Sequence, residues 1–197
     1  MRYFKRLLRY MSVAACFIWI LPVIKHFRKR YFYYFLLVAV NSIIKYLAAD
    51  NSKEIVNYDL VITFLMLLAV QRGEKFPKSI LYALPFSAGL FILPGYLTHR
   101  MTDAIVTLLN IIVFSILIKN AIENISEREG IGIFYPALLL YQAVTVCVYF
   151  TDISNIGASI YYPDIVNFIT VICALIVSLY DDYSFEFFIR INKEENK

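Results

Sequence analysis

Charge is scarce in this chain. Only 17% of its 197 residues are Asp, Glu, Lys or Arg, 60% are apolar, and the mean hydropathy is +0.66. A soluble domain carries about a quarter charged residues, so water is excluded as the main solvent and lipid takes its place. Histidine is limited to His26 and His99, which fall in connections expected on opposite sides of a membrane. They therefore share no metal and back no nucleophile. There is no GxSxG, no HExxH, no phosphate-cradling glycine loop and no pair of intramembrane aspartates of protease type, so no enzyme and no cofactor is expected. The last apolar segment has no lysine, which argues against a retinal-binding protein. Cys16, Cys147 and Cys173 stand singly in apolar surroundings without a CxxC pair and read as small packing residues.

What is abundant is apolar sequence. Runs at 10–24, 31–49, 55–70, 79–97, 103–118, 133–152 and 164–180 are separated by short polar connections. Each crossing of a bilayer takes roughly 20 residues, so the chain has room for one bundle and no second, soluble domain. Short connections imply antiparallel neighbours. The expected fold is all-α: a polytopic transmembrane helical bundle of seven helices, one domain over 1–197 with a short C-terminal tail from about 181.

The formal charge of +4 does not point to nucleic acid, because the basic residues sit at the ends of apolar runs. With seven crossings, twelve of the 19 Lys and Arg fall on the side of Lys25, Arg28, Lys29 and Arg30 together with the C-terminus, which is therefore expected to be cytoplasmic. The first run is short for a span, and Arg2, Lys5, Arg6 and Arg9 lie on the other side. The alternative is six spans with an interfacial, amphipathic N-terminal helix, which moves these four charges inside. Basic residues before an apolar run also resemble a signal peptide, and Val13-Ala14-Ala15-Cys16 a lipoprotein box. The Cys precedes most of the run, so the segment is expected to stay in the mature protein.

Aromatic residues at 31–35, Tyr161, Tyr162, Tyr180 and Tyr183 fall at helix ends and are expected to form an interfacial belt. Asp59, Asp103 and Asp164 each open a descending helix; this reads as N-terminal capping more simply than as a transporter repeat. The sequon Asn124-Ile125-Ser126 falls in a connection expected to be cytoplasmic and reads as chance.

Polar groups inside spans are costly and mark function by default. Asn41, Ser42 and Lys45 share a helix face, as do Thr107 and Asn110; Gln142, Thr145, Tyr149 and Asp152 recur at helical spacing, and Asp164 and Asn167 follow on the last helix. Most lie in the outer halves of their helices. The expectation is an outward-facing, mildly acidic cavity that binds a small ligand, lined by Lys45, Asp59, Asn110, Gln142, Tyr149, Asp152, Asp164 and Asn167. The opposing reading is that these amides and hydroxyls only lock helices together. Asp59 resists dismissal: the uncharged run after it, 60–70, cannot cross alone, so Asp59 lies near the headgroups with Lys45 as its natural counter-charge. Pro85, Gly89, Pro94 and Gly95 would bend the fourth helix, as in helices that line transport pathways. In the tail, Phe185, Phe187 and Phe188 among charges would touch the inner leaflet or another subunit, or remain solvated.

The opening that ends Leu21-Pro22-Val23-Ile24 before a basic loop, the later Ile125-Ser126-Glu127-Arg128-Glu129, and Phe134-Tyr135-Pro136-Ala137 entering an apolar helix give an order of parts. That order resembles uncharacterised seven-helix bacterial inner-membrane proteins, some similar to the membrane portions of sensor kinases. The resemblance implies multi-pass placement in an inner membrane and carries over no functional residue. Together these readings predict a non-enzymatic sensor or accessory subunit in the lipid bilayer, signalling to a protein partner through its cytoplasmic side. A small solute transporter or channel is the alternative, and the ligand, the partner and the oligomeric state are left open.

Overall fold

In the computed structural model, residues 10, 13–47, 52–93, 96–128, 130–154, 162–180 and 189–190 are described. Among the described residues, 13–17 are helical and are followed by α1 (Ile20–Lys25), α2 (Phe32–Leu47), α3 (Ser52–Arg72), α4 (Phe76–Ile92), α5 (His99–Arg128), α6 (Phe134–Ser154) and α7 (Tyr162–Leu179). Two short strands, β1 (Gly130–Ile131) and β2 (Ile189–Arg190), pair antiparallel with Gly130 opposite Arg190. The described residues are all-helical apart from this pair. Among them two helices are long and apolar enough to cross a membrane, His99–Glu127 and Phe134–Ser154; Val13–Lys25, Phe32–Leu47 and Pro163–Leu179 are apolar but shorter. The N-terminal Arg2, Lys5, Arg6 and Arg9, the pair Pro94 and Gly95, and the tail phenylalanines lie outside the described residues.

Local chemistry explains most boundaries. The apolar stretch Val13–Lys25 opens into a turn at Ile18 and Trp19 before α1 resumes. Pro22 causes this, since its ring clashes with the carbonyl four residues earlier and it has no N–H to donate. Between α3 and α4 the chain turns through a single 3₁₀ turn, Gly73–Lys75. Gly73 sits at φ +52, a left-handed conformation that costs glycine nothing, and Arg30 packs against it. Thr98 caps α5 through its hydroxyl, which accepts the Met101 N–H at 3.4 Å. Asp164 lies in the first turn of α7, where the helix dipole favours a carboxylate.

The fifth helix departs from its apolar run. It starts at His99 and continues to Arg128, so residues 120–128, expected as a loop, are helical. Good helix formers carry it onward, and Lys119 meets Glu123 one turn later at 3.7 Å.

The helices pack as a closed ring in the order α1, α2, α3, α5, α6, α7, with α1 returning against α7. α4 stands outside this ring, packed on α3. Across the ring α2 and α6 are joined by long side chains. Tyr31, just before α2, reaches Tyr135 (3.4 Å), Tyr34 reaches Gln142 (2.8 Å), and Lys45 reaches Tyr149 (2.8 Å). On α6 these partners recur every seven residues, so one helix face forms the seam.

One end of the ring is filled. Trp19, Tyr31, Tyr34, Phe35 and Phe134 are all but fully buried. Trp19 stacks on Phe35 with ring centroids 6.0 Å apart and meets Tyr141 at 4.3 Å. The residues at 31–35 expected in an interfacial belt thus include Tyr31, Tyr34 and Phe35 as core. The Tyr31 and Tyr34 hydroxyls find partners inside and Phe35 has none to satisfy, which removes the reason for the rings to stay at the water boundary. His26 is also interior: its ring packs against Phe35 and Phe134, and Nε2 lies 3.0 Å from the Val177 carbonyl, tying the α1–α2 turn to α7. His26 thus lies in the connection expected for it, with its ring turned inward.

Candidate functional site

The other half of the seam is not filled. Between Gln142 and Tyr149 on α6 and Asn41 to Lys45 on α2 lies a cavity of about 250 Å³. Its walls come from Ala15 and Cys16 before α1, and from α2, α3, α5, α6 and α7. No residue of α4 lines it, so Pro85 stands away from the cavity and the bend expected to border a pathway does not border this one.

The floor is an amide network. Gln142, 1% exposed, accepts the Tyr34 hydroxyl on Oε1 at 2.8 Å and donates from Nε2 to Asn110 Oδ1 at 2.9 Å. Asn110, 2% exposed, donates in turn to the Val106 carbonyl at 2.9 Å, its own helix four residues back. Three helices, α2, α6 and α5, are therefore linked by one chain of hydrogen bonds. Leaving such a buried amide unpaired costs about 1–3 kcal/mol, which fixes the rotamers that face the cavity.

The mouth is a charged clasp. Lys45 Nζ lies 3.1 Å from Asp59 Oδ2 on α3 and 2.8 Å from the Tyr149 hydroxyl on α6, with the ammonium 4.8 Å from the centre of the Tyr149 ring. Asp59 is buried and the Lys45 side chain is half-buried, so the pair closes the outer edge of the cavity. A charged pair here draws α2, α3 and α6 together at the end of the molecule opposite Arg30.

Two acceptors in this region have no partner. Asn41 Oδ1, on the cavity wall, and Asp59 Oδ1, beside Lys45, are buried and receive no hydrogen bond. Buried acceptors left empty are uncommon and call for a donor. Two cavity hydroxyls are turned back onto their own helices: Ser42 donates to the Val38 carbonyl (2.9 Å) and Thr145 to that of Tyr141 (3.0 Å).

Of the residues singled out from the sequence, Lys45, Asn110, Gln142, Tyr149 and Asn167 line the cavity, and Asp59 holds Lys45 from its edge. Asp152 is exposed and Asp164 half-buried, and neither lines it. Tyr34, Thr63 and Thr170 were not anticipated: Tyr34 read as an interface aromatic, and isolated threonines carry no periodic signal. Asp103 pairs with His99 at 2.6 Å within the first turns of α5, apart from the cavity. Among the described residues no group of three or more His, Cys, Asp or Glu side chains converges as a metal site would require. No family model, no curated protein and no solved structure matches this chain.

Proposed function

We propose that this protein is a multi-pass, non-enzymatic membrane sensor or accessory subunit that binds a small polar molecule in the α2–α6 cavity. The observation that carries the reading is the conjunction of that cavity with the Lys45–Asp59–Tyr149 clasp and two unfilled acceptors. Its size suits a ligand of a few heavy atoms, and its chemistry suits one that donates hydrogen bonds, such as a small amine, amide or polyol. Such a ligand satisfies Asn41 Oδ1 and Asp59 Oδ1 and competes with Lys45 for Asp59, loosening the tie between α2, α3 and α6.

The route outward runs along the seam. The cavity lies in the half of the bundle away from the basic turns at Lys25–Arg30 and Arg72–Lys78, which is the extracytoplasmic half by the positive-inside rule. At the opposite end the strand after α5 pairs with the C-terminal strand, so displacement of α5 and α6 is delivered to the tail, the natural contact for a partner protein on the cytoplasmic side. The long apolar helices α5 and α6 supply the first spans and the shorter apolar helices are taken as the remaining ones, with bacterial inner-membrane placement following the resemblance in architecture. A small solute transporter or channel using the same cavity is the alternative, and no described residue of α4 lines that cavity.

The test is a thermal-shift screen of the purified protein in detergent against panels of small amines, amides, polyols and amino acids. A ligand at one hundred times its Kd stabilises by about 2.7 kcal/mol, several degrees for a chain of this size. The reading expects at least one hit that is lost in Asn41→Ala and retained in Ser115→Ala, an exposed site on α5. Flux of that hit across proteoliposomes, abolished by Lys45→Ala, would instead establish transport.

A further inference from the structure

Away from the cavity, the hairpin of α3 and α4 carries a second feature. Because the connection is only the turn Gly73–Lys75, Arg72, Lys75 and Lys78 crowd at one end of the hairpin, where with Ser79 and Tyr82 they line an open groove of about 520 Å³. Ser79 donates to the Lys75 carbonyl at 3.3 Å, and Arg72, Lys75, Lys78 and Tyr82 bring a guanidinium, two ammonium groups and a phenol to the groove walls. Among the described side chains that line it none is acidic; that of Glu74, in the same turn, lies outside the described ones.

The groove does not stop there. Arg72, Ser79 and Tyr82 also border an adjoining space of about 410 Å³ whose remaining walls are Phe64, Leu68, Ala83 and Phe86. Phe64 and Phe86 meet across it with ring centroids 4.8 Å apart. Since α4 stands outside the ring, this continuous surface faces away from the bundle, and Tyr82 and Phe86 are largely exposed along it. A cationic head followed by an apolar, aromatic-floored channel along a helix pair is complementary in charge and shape to one amphiphile. Arginine grips a phosphate with two parallel hydrogen bonds, lysines add point charge, and an acyl chain fills the apolar part.

We propose that the α3–α4 groove binds one anionic phospholipid, its phosphate at Arg72, Lys75 and Lys78 and an acyl chain along Phe64, Leu68 and Phe86. The proposal rests on the membrane placement argued above but not on the cavity or its ligand. A free inorganic phosphate would use the cationic end and ignore the apolar end, which separates the two sources of the same chemistry.

The experiment is native mass spectrometry of the full-length protein released from detergent, titrated with phosphatidylglycerol, phosphatidylcholine or inorganic phosphate. Phosphatidylglycerol is expected to be retained as a single adduct at about tenfold lower concentration than phosphatidylcholine, from the attraction of the basic cluster for an anionic headgroup. The triple variant Arg72→Gln, Lys75→Gln, Lys78→Gln removes that preference, and Phe86→Ala weakens retention of both lipids. Ser115→Ala, at an exposed position of α5, leaves the adduct unchanged. Equal retention of the two lipids, or an undiminished preference in the triple variant with helical circular dichroism intact, overturns the proposal. So does complete displacement of the lipid by inorganic phosphate. Alkaline carbonate extraction of cell membranes is read separately: release of the protein to the supernatant rejects the membrane placement itself, whatever the lipid preference.

Discussion

The two halves of the α2–α6 seam are built on one helix face and finished in opposite ways. Toward Tyr31 and Tyr135 the space is packed with Trp19, Phe35 and Phe134 and closed by His26 on the Val177 carbonyl. Toward Lys45 and Tyr149 the same spacing encloses about 250 Å³ bordered by amides, hydroxyls and a charged pair. Aromatic rings at the first end supply area and dispersion, and need few partners. At the second end the side chains are shorter or charged, and what holds the helices is the hydrogen-bond chain from Tyr34 through Gln142 to Asn110. Stability is therefore concentrated in one half, and the other is free to hold space. That division is what a ligand-responsive bundle requires.

The comparison breaks first at the packed end if it is wrong. Phe35→Ala is expected to cost about 3 kcal/mol or more, because a fully buried aromatic leaves a cavity its neighbours cannot collapse into. Chemical unfolding in mixed detergent micelles measures this, and a loss under about 1 kcal/mol would mean that the half described as packed is already loose.

At the open end, Asp59→Asn leaves the Lys45 ammonium beside a neutral amide and is expected to cost about 1–3 kcal/mol, below the cost of breaking a fully buried pair because Tyr149 still accepts from the ammonium. The double variant Lys45→Met, Asp59→Leu should recover most of that loss in the same unfolding assay. Additive losses would show that the two residues do not act as a pair. Gln142→Leu is next, at about 1–2 kcal/mol, since it strips partners from both Tyr34 and Asn110. Recovery by Tyr34→Phe in the same chain would locate the cost in the unpaired hydroxyl.

The smallest expected effect lies outside the seam. Arg28 holds φ at 61 in the turn before α2, a conformation that costs a residue with a side chain roughly 1 kcal/mol. Arg28→Gly should therefore raise the unfolding midpoint slightly, with the seam variants unaffected by it. An unchanged or lower midpoint would place the strain relief below the entropy that glycine adds to the unfolded chain.

The helix segments were legible because apolar runs and polar breaks mark them directly. The pairing of Asp59 with Lys45 was legible for a sharper reason: the uncharged run after Asp59 is too short to cross, which puts the carboxylate level with the end of α2. The aromatic cluster was not. Tyr31, Tyr34 and Phe35 sit beside a basic loop, the position an interfacial belt would take, and only the partners on α6 reveal them as core. Nor could composition show that α5 runs on past its apolar stretch through Lys119 and Glu123, since charged residues at helical spacing serve a loop and a solvated helix equally well. The ring order, with α4 displaced outward, depends on contacts between segments far apart in the chain. Asp152 and Asp164 share helix faces with Tyr149 and Asn167 by spacing, but they do not line the cavity.

The account turns on the open half being reached by water, and thiol labelling tests this most directly. With Cys16, Cys147 and Cys173 replaced by Ala, Thr145→Cys at the cavity wall and Val38→Cys in the packed half are exposed in intact cells to a membrane-impermeant maleimide. The account predicts labelling of Thr145→Cys from outside, slowed by any ligand that the thermal screen identifies, and protection of Val38→Cys. Equal protection at both positions would contradict it, leaving the Lys45–Asp59–Tyr149 clasp as a lock between helices and nothing more.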